Sequence, residues 1–211
     1  MKPGIALILM LLITMLSGCQ IGKDVKPSEM DPKDLPDERA FQDEFTREFL
    51  QSVEETKPGY YPFLSKTGKY KMDFPAGGLI DKFGYTINKT YFEFLDVGIK
   101  YPDQTGANLT ISYNRENKMD NIENHLRWFQ GRLGEPYDLE KYEEKTYNFY
   151  YTGFERSGFS YQVAYIQNKK VAGGIELIYF TECQKNNCQG QSLLNKQDFF
   201  DWIKTIQFID D

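Results

Sequence analysis

The sequence predicts an α+β domain in which helices cover a mostly antiparallel sheet, and three observations carry that reading. After Tyr60 the apolar residues, many of them Tyr and Phe, alternate with polar ones in several short runs separated by turn residues. Three other segments place apolar residues at helical spacing. The composition, 40% apolar and 16% aromatic in 211 residues, suits a chain that buries one core of ordinary size, neither disordered nor polytopic in a membrane.

The N-terminus reads as a targeting signal. Lys2 supplies a positive start, and Gly4 to Leu16 is a mostly apolar run too short to cross a bilayer as a helix. Leu16-Ser17-Gly18-Cys19 follows and resembles the bacterial lipobox, with an aliphatic residue and two small residues before the cysteine. The resemblance implies cleavage between Gly18 and Cys19, a diacylglycerol thioether on Cys19 and acylation of the freed amino group. Two or three acyl chains hold a protein durably at a membrane, where one binds only marginally. The mature chain is therefore expected to be tethered to the membrane through Cys19 on its extracytoplasmic face. Lys supplies 19 of the 25 basic residues, which points to a Gram-positive cell; in a Gram-negative one, Gln20 after the cysteine would direct the protein to the outer membrane.

Residues 19–38 carry the lipidated cysteine and then Pro27, Pro32 and Pro36 among charged residues, and they read as a flexible tether. The globular domain is placed at residues 39–211. From Asp37 to Glu55, Phe41, Phe45, Phe49 and Val53 recur every four residues and predict one amphipathic helix packed on its own domain, since an acidic outer face suits no anionic membrane. Strands follow at Tyr60 to Leu64 and Lys69 to Phe74 around the turn Ser65 to Gly68, then at Thr90 to Tyr101 and Asn108 to Tyr113 around Pro102 to Gly106. Met119, Ile122, Leu126, Phe129 and Leu133 predict a second helix stopped by Gly134 and Pro136. Alternation around Tyr147, Phe149 and Tyr151, then Tyr161, Val163 and Tyr165, then Ile175, Leu177 and Tyr179 gives three more strands. A third helix begins at Asn195, with Asp198 placed as in a capping box, and leads into a strand at Thr205 to Ile209.

That order, with the entry Tyr70-Lys71-Met72-Asp73-Phe74-Pro75 and the closing Asp198-Phe199-Phe200-Asp201-Trp202-Ile203-Lys204-Thr205-Ile206-Gln207-Phe208, resembles the Mog1/PsbP-like α/β/α sandwich over roughly residues 60–211. Bacterial lipoproteins are similar in carrying such domains behind a lipobox. The resemblance implies a binding or assembly factor and brings no functional residue with it.

Chemistry-bearing residues are few. A net charge of -6 argues against a nucleic-acid partner, which needs a basic face. Cys183 and Cys188 bracket a polar turn and, in an exported chain, read as a disulfide closing a short loop; zinc, redox and free-thiol readings are the alternatives. His125 on the second helix is a surface or boundary residue rather than a general acid or base. Gly77-Gly78 and Gly173-Gly174 match no phosphate loop and read as turns or bulges. Glu54-Glu55 and Glu143-Glu144 read as solvated acids, although an acid pair in a cleft could serve a hydrolase. No catalytic residue, metal ligand or cofactor is predicted. The Tyr and Phe content allows either core packing or an exposed recognition face. The expected function is a non-catalytic binding or assembly module at the cell envelope, with an envelope protein, peptide or glycan as partner and surface or colony behaviour as the process. An acid-pair hydrolase and a small-ligand carrier are the alternatives.

Overall fold

The structure, a computed structural model, describes residues 25–102, 105–182 and 196–209. Cys19, Cys183, Cys188 and the expected helix cap at Asn195 lie outside the described residues. The expected fold class holds: the domain is mostly antiparallel sheet with a few helices. Strands β1 (Tyr60–Leu64) and β2 (Tyr70–Pro75) form a hairpin that β11 (Gln207–Phe208) extends into a small sheet in the order β1-β2-β11. The larger sheet contains β3 (Gly78–Ile80), β4 (Thr86–Asn88), β5 (Phe92–Lys100), β6 (Gly106–Asn114), β7 (Glu140–Glu143), β8 (Tyr147–Arg156), β9 (Phe159–Asn168) and β10 (Gly174–Glu182). Its order is β3-β5-β6-β10-β9-β8-β7, with β4 beside β5, and every pairing is antiparallel.

Alternation along these strands sorts the aromatic residues onto two faces. Ile175, Leu177 and Tyr179 of β10, with Phe149 and Tyr151 of β8, enter the main core. There they meet the small sheet and helix α4 (Lys196–Ile203), whose Phe199 and Phe200 rings touch Tyr151 and Tyr179 or Phe149. The Trp202 indole donates to the Asp73 carbonyl at 2.7 Å and ties α4 to β2. On the opposite face Val163 and Tyr165 of β9 pack with Phe129 and Leu133 of helix α3 (Ile122–Leu133), flanked by Tyr150 and Ile178. Gly134 closes α3 at φ +87°, a conformation that costs glycine little.

The expected helix over residues 37–55 is not one helix. It is two single turns, α1 (Arg39–Gln42) and α2 (Glu44–Arg47), separated by Asp43 in extended conformation. The Asp43 carboxylate accepts from the Thr46 N–H and hydroxyl, both at 2.7 Å, and so caps α2. Beyond α2 the chain runs beside β1, through a Leu50–Phe63 bridge and a bond from the Gln51 N–H to the Pro62 carbonyl. Phe41 and Phe49 still reach the core, so the four-residue recurrence reported burial correctly and helix length wrongly.

Residues 25–38, read as part of a flexible tether, carry two proline-led turns, Pro27–Glu29 and Pro32–Asp34. Pro27 is buried and Leu35 packs on the core, so this stretch is docked on the domain. The prolines that suggested a spacer instead preset φ at the first position of each turn.

Candidate functional site

The antiparallel hairpins bring several connections to one end of the domain. These are the loop from β6 to α3, the turn from β7 to β8, the loop from β9 to β10, and the chain flanking β2 and β11. Buried polar groups lock this end. The Gln167 amide, fully buried, donates to the carbonyls of Asn117 (3.3 Å), Asn168 (3.1 Å) and Gly173 (2.9 Å), while its oxygen accepts from the Tyr165 hydroxyl at 3.1 Å. Gly173 N–H donates to Asn117, Lys169 N–H to Thr146, Arg115 N–H to Tyr91 and Ile209 N–H to Lys69. The Asn168 side chain accepts from the Lys170 and Val171 N–H groups. A loop cluster with its backbone groups paired in this way holds its shape.

Two adjoining grooves open here, sharing Asn168 and Phe208. One, of about 340 Å³, is lined by Lys69, Tyr113, Arg115 and Val171 among others; the second, of about 370 Å³, by Thr146, Tyr147, Lys170 and Lys204. Their walls combine ammonium, guanidinium and amide donors with aromatic rings, and among the described residues no carboxylate lines either one. Burial raises the Tyr113 and Tyr147 phenols above their ordinary range, with Arg115 opposing at Tyr113 and Glu144 adding at Tyr147. Both are neutral at physiological pH, so the grooves suit an anionic group attached to apolar matter.

The other candidates fall into structural roles. His125 is buried rather than superficial: Nε2 accepts from the Lys118 N–H at 3.2 Å, its ring meets Trp128 edge-on, and burial lowers its pKa against a smaller opposing effect of Asp120. Glu143 pairs with Lys141 at the surface, and Glu55 accepts from the Gly59 N–H. Glu176 is the carboxyl whose pKa rises through burial, but Arg132 holds it in an ion pair. Glu93, fully buried, accepts from Lys66 N–H (2.9 Å), Thr67 N–H (3.1 Å), the Thr67 hydroxyl (2.9 Å) and the Tyr85 hydroxyl (3.2 Å), clasping the β1–β2 turn. Gly78 and Gly174 begin strands, as expected of turn glycines. Among the described residues no group of three or more His, Cys, Asp or Glu is placed to hold a metal, and no helix is long and apolar enough to cross a membrane. A core space lined by Tyr60, Tyr179 and Trp202 measures about 10 Å³, room for about one water molecule and far too small for a carried ligand.

Most aromatic residues pack rather than present a face. Tyr137, Phe154, Tyr161 and Phe180 stack in series at centroid separations of 3.9, 4.8 and 5.4 Å, with nearly parallel planes, so each ring covers its neighbour's face. The sequence reading missed the loop end because its basic residues are scattered singly or in pairs. The only local signal was Lys169-Lys170 before Val171.

Fold and loops together define an α+β domain of the Mog1/PsbP-like type, with two grooves at its loop end and no assembled catalytic group among the described residues. Residues 36–207 match the family model YvcA_Mog1p, described as "Putative lipoprotein YvcA", and the chain belongs to that family. A 90-residue stretch is 41% identical to the Bacillus subtilis (strain 168) protein of the same description, covering 37% of each chain. A crystal structure from Bacteroides thetaiotaomicron VPI-5482 aligns with 71% of this chain and 48% of that one, at 13% identity and a TM-score of 0.42.

Proposed function

We propose that this protein is an extracytoplasmic lipoprotein, anchored through acyl chains on Cys19, whose domain works by binding an anionic ligand at the loop end rather than by catalysis. The observation that carries this is the pair of joined grooves with donor groups and aromatic rings but no carboxylate among the described residues. An envelope process that needs a factor held at the membrane fits a domain joined to its lipid by a short chain. No catalytic activity is indicated for the family, and the acid pairs a hydrolase would need, Glu54-Glu55 and Glu143-Glu144, are exposed and line neither groove.

Growth with an alkyne fatty acid tests the anchor. The full chain should take up label that Cys19→Ala loses, and protease added to intact cells should remove the domain. Label retained by Cys19→Ala, or a domain protected in intact cells but not in lysed ones, would overturn the reading.

A further inference from the structure

We infer that the grooved loop end docks on the anionic lipid headgroups of the bilayer itself. The inference rests on the anchored reading above and names the ligand of the same site.

Charge is the first support. The chain as a whole carries -6, yet the loops at this end collect Arg115, Lys118, Lys145, Lys169, Lys170 and Lys204, joined by Lys69 at the start of β2. Glu116, Asp120 and Glu144 are the acids in the same loops, and Asp210 and Asp211, outside the described residues, follow Ile209. Even with both aspartates counted here, basic side chains outnumber acidic ones, the reverse of the whole chain. A net basic patch on a chain of opposite net charge is what an anionic surface attracts and orients.

Apolar exposure is the second support. Tyr91, Met119 and Val171, at 47%, 49% and 50% exposure, belong to the few large hydrophobic residues left in solvent among the described residues. Met119 and Val171 sit in these loops, and Tyr91 lies in the β4–β5 turn beside them, its carbonyl accepting from the Arg115 N–H at 2.7 Å. The Arg115 guanidinium lies 5.5 Å over the Tyr91 ring. Tyr beside basic residues matches the headgroup layer, where the ring takes the apolar side and the cation the phosphate.

Chain length is the third. Val25 is the first described residue, and Pro27 is already buried. Five residues separate Cys19 from Val25, and the six fully extended steps between the two span at most about 20 Å. A lipid on Cys19 therefore keeps the domain against the bilayer, where headgroups are present at high effective concentration and weak contacts suffice. The aromatic stack on the α3 face already has the Arg156 guanidinium over Phe154 and Tyr161, and nothing in the structure indicates an occupant for it.

Sedimentation with vesicles tests this on the chain 20–211, which lacks the lipid and retains every described element. Vesicles of phosphatidylcholine alone are compared with vesicles one third phosphatidylglycerol. Binding is expected on the anionic vesicles at about 0.1 M salt, and should weaken strongly at about 0.5 M, where screening shortens the reach of surface charge. The exposed lysines Lys118, Lys145 and Lys204 are reversed together to Glu. At about a fivefold effect per basic residue near an anionic surface, their loss weakens binding on the order of 100-fold. An unchanged melting temperature certifies the variant's fold.

Three outcomes overturn the inference: no binding by the unaltered chain, equal binding by the triple variant, or loss of binding through Phe83→Asp on a different surface while the triple variant still binds. Binding to soluble polyphosphate with none to vesicles would also overturn it, and would assign the surface to a soluble polyanion. Because no arm uses Cys19, failure here leaves the fatty-acid labelling result standing, and the reverse holds too.

Discussion

Replacing Glu93 should loosen the joint between the two sheets. Its carboxylate, on β5 of the large sheet, accepts three bonds from Lys66 and Thr67 in the turn between β1 and β2 of the small sheet, and a fourth from Tyr85. Hydrogen bonds to a charged group contribute about 1.5–3 kcal/mol each, and donors stranded in the interior cost about 1–3 kcal/mol each. The turn lies close enough to solvent at Lys66 for its N–H to rehydrate, so the four bonds do not add in full. Glu93→Ala should therefore cost about 3–5 kcal/mol, the range found when one partner of a buried charged pair is removed. At about 2–4 °C per kcal/mol in a chain of this length, the melting temperature falls by roughly 6–20 °C. Glu93→Gln keeps one acceptor oxygen but turns an NH2 group toward N–H donors, and should fall between the two. Thr67→Val, which removes one hydroxyl, should cost about 1 kcal/mol. Urea titration of chain 20–211, followed by Trp fluorescence, gives midpoint and slope together. An Ala variant within about 1 kcal/mol of the parent at unchanged slope would refute the clasp, because donors so easily satisfied elsewhere were never held by the carboxylate.

Other substitutions probe neighbouring features. The Tyr70 hydroxyl is buried with no hydrogen-bond partner, so Tyr70→Phe should stabilise the fold by about 1 kcal/mol in the same titration, whereas a loss would mean that the hydroxyl is satisfied. A Cβ on Gly77 would lie 1.9 Å from the Lys100 carbonyl oxygen, so Gly77→Ala should push β3 from β5 at a cost of about 2–4 kcal/mol. Gly131, exposed on α3 with open space at its Cβ, should instead gain about 0.5–1 kcal/mol as Ala. Burial lowers the folded-state pKa of His125, so below pH about 6.5 the unfolded chain takes up the proton more readily and stability falls as pH drops towards the folded value. His125→Gln should flatten that part of the stability profile measured from pH 7 to 5, and an unchanged slope would show that another group governs it.

What the sequence could show depended on how far apart the cooperating residues lie. Strands β5, β6, β8, β9 and β10 were legible because alternation is written within a few consecutive residues, and each faces a core on at least one side. Short β3, β4 and β7 were not, since three or four residues carry too little alternation to stand out. The segment after Asp37 misled for a related reason. A spacing of four apolar residues matches a helix, but Asp43 and Thr46 prefer to cap, and the edge of β1 offered Leu50 and Gln51 backbone partners that a continuing helix would have denied them.

The loop end was illegible for the opposite reason: its residues are local to nothing. Lys69, Arg115, Lys145, Lys170 and Lys204 come from five separate parts of the chain, and acids directly beside Arg115 and Lys145 and in the helix before Lys204 offset the charge in three of them. Antiparallel pairing returns the chain to the same end after every second strand, so residues tens of positions apart become neighbours once register is fixed: Tyr147 opposite Asn168, Gly174 opposite Asn114, and Phe208 opposite Tyr70. Net charge is an average over surfaces that the fold separates. The -6 that argues against a polyanion partner for the chain as a whole is therefore compatible with one end that attracts phosphate, and only the register of the sheet reveals which residues share that end.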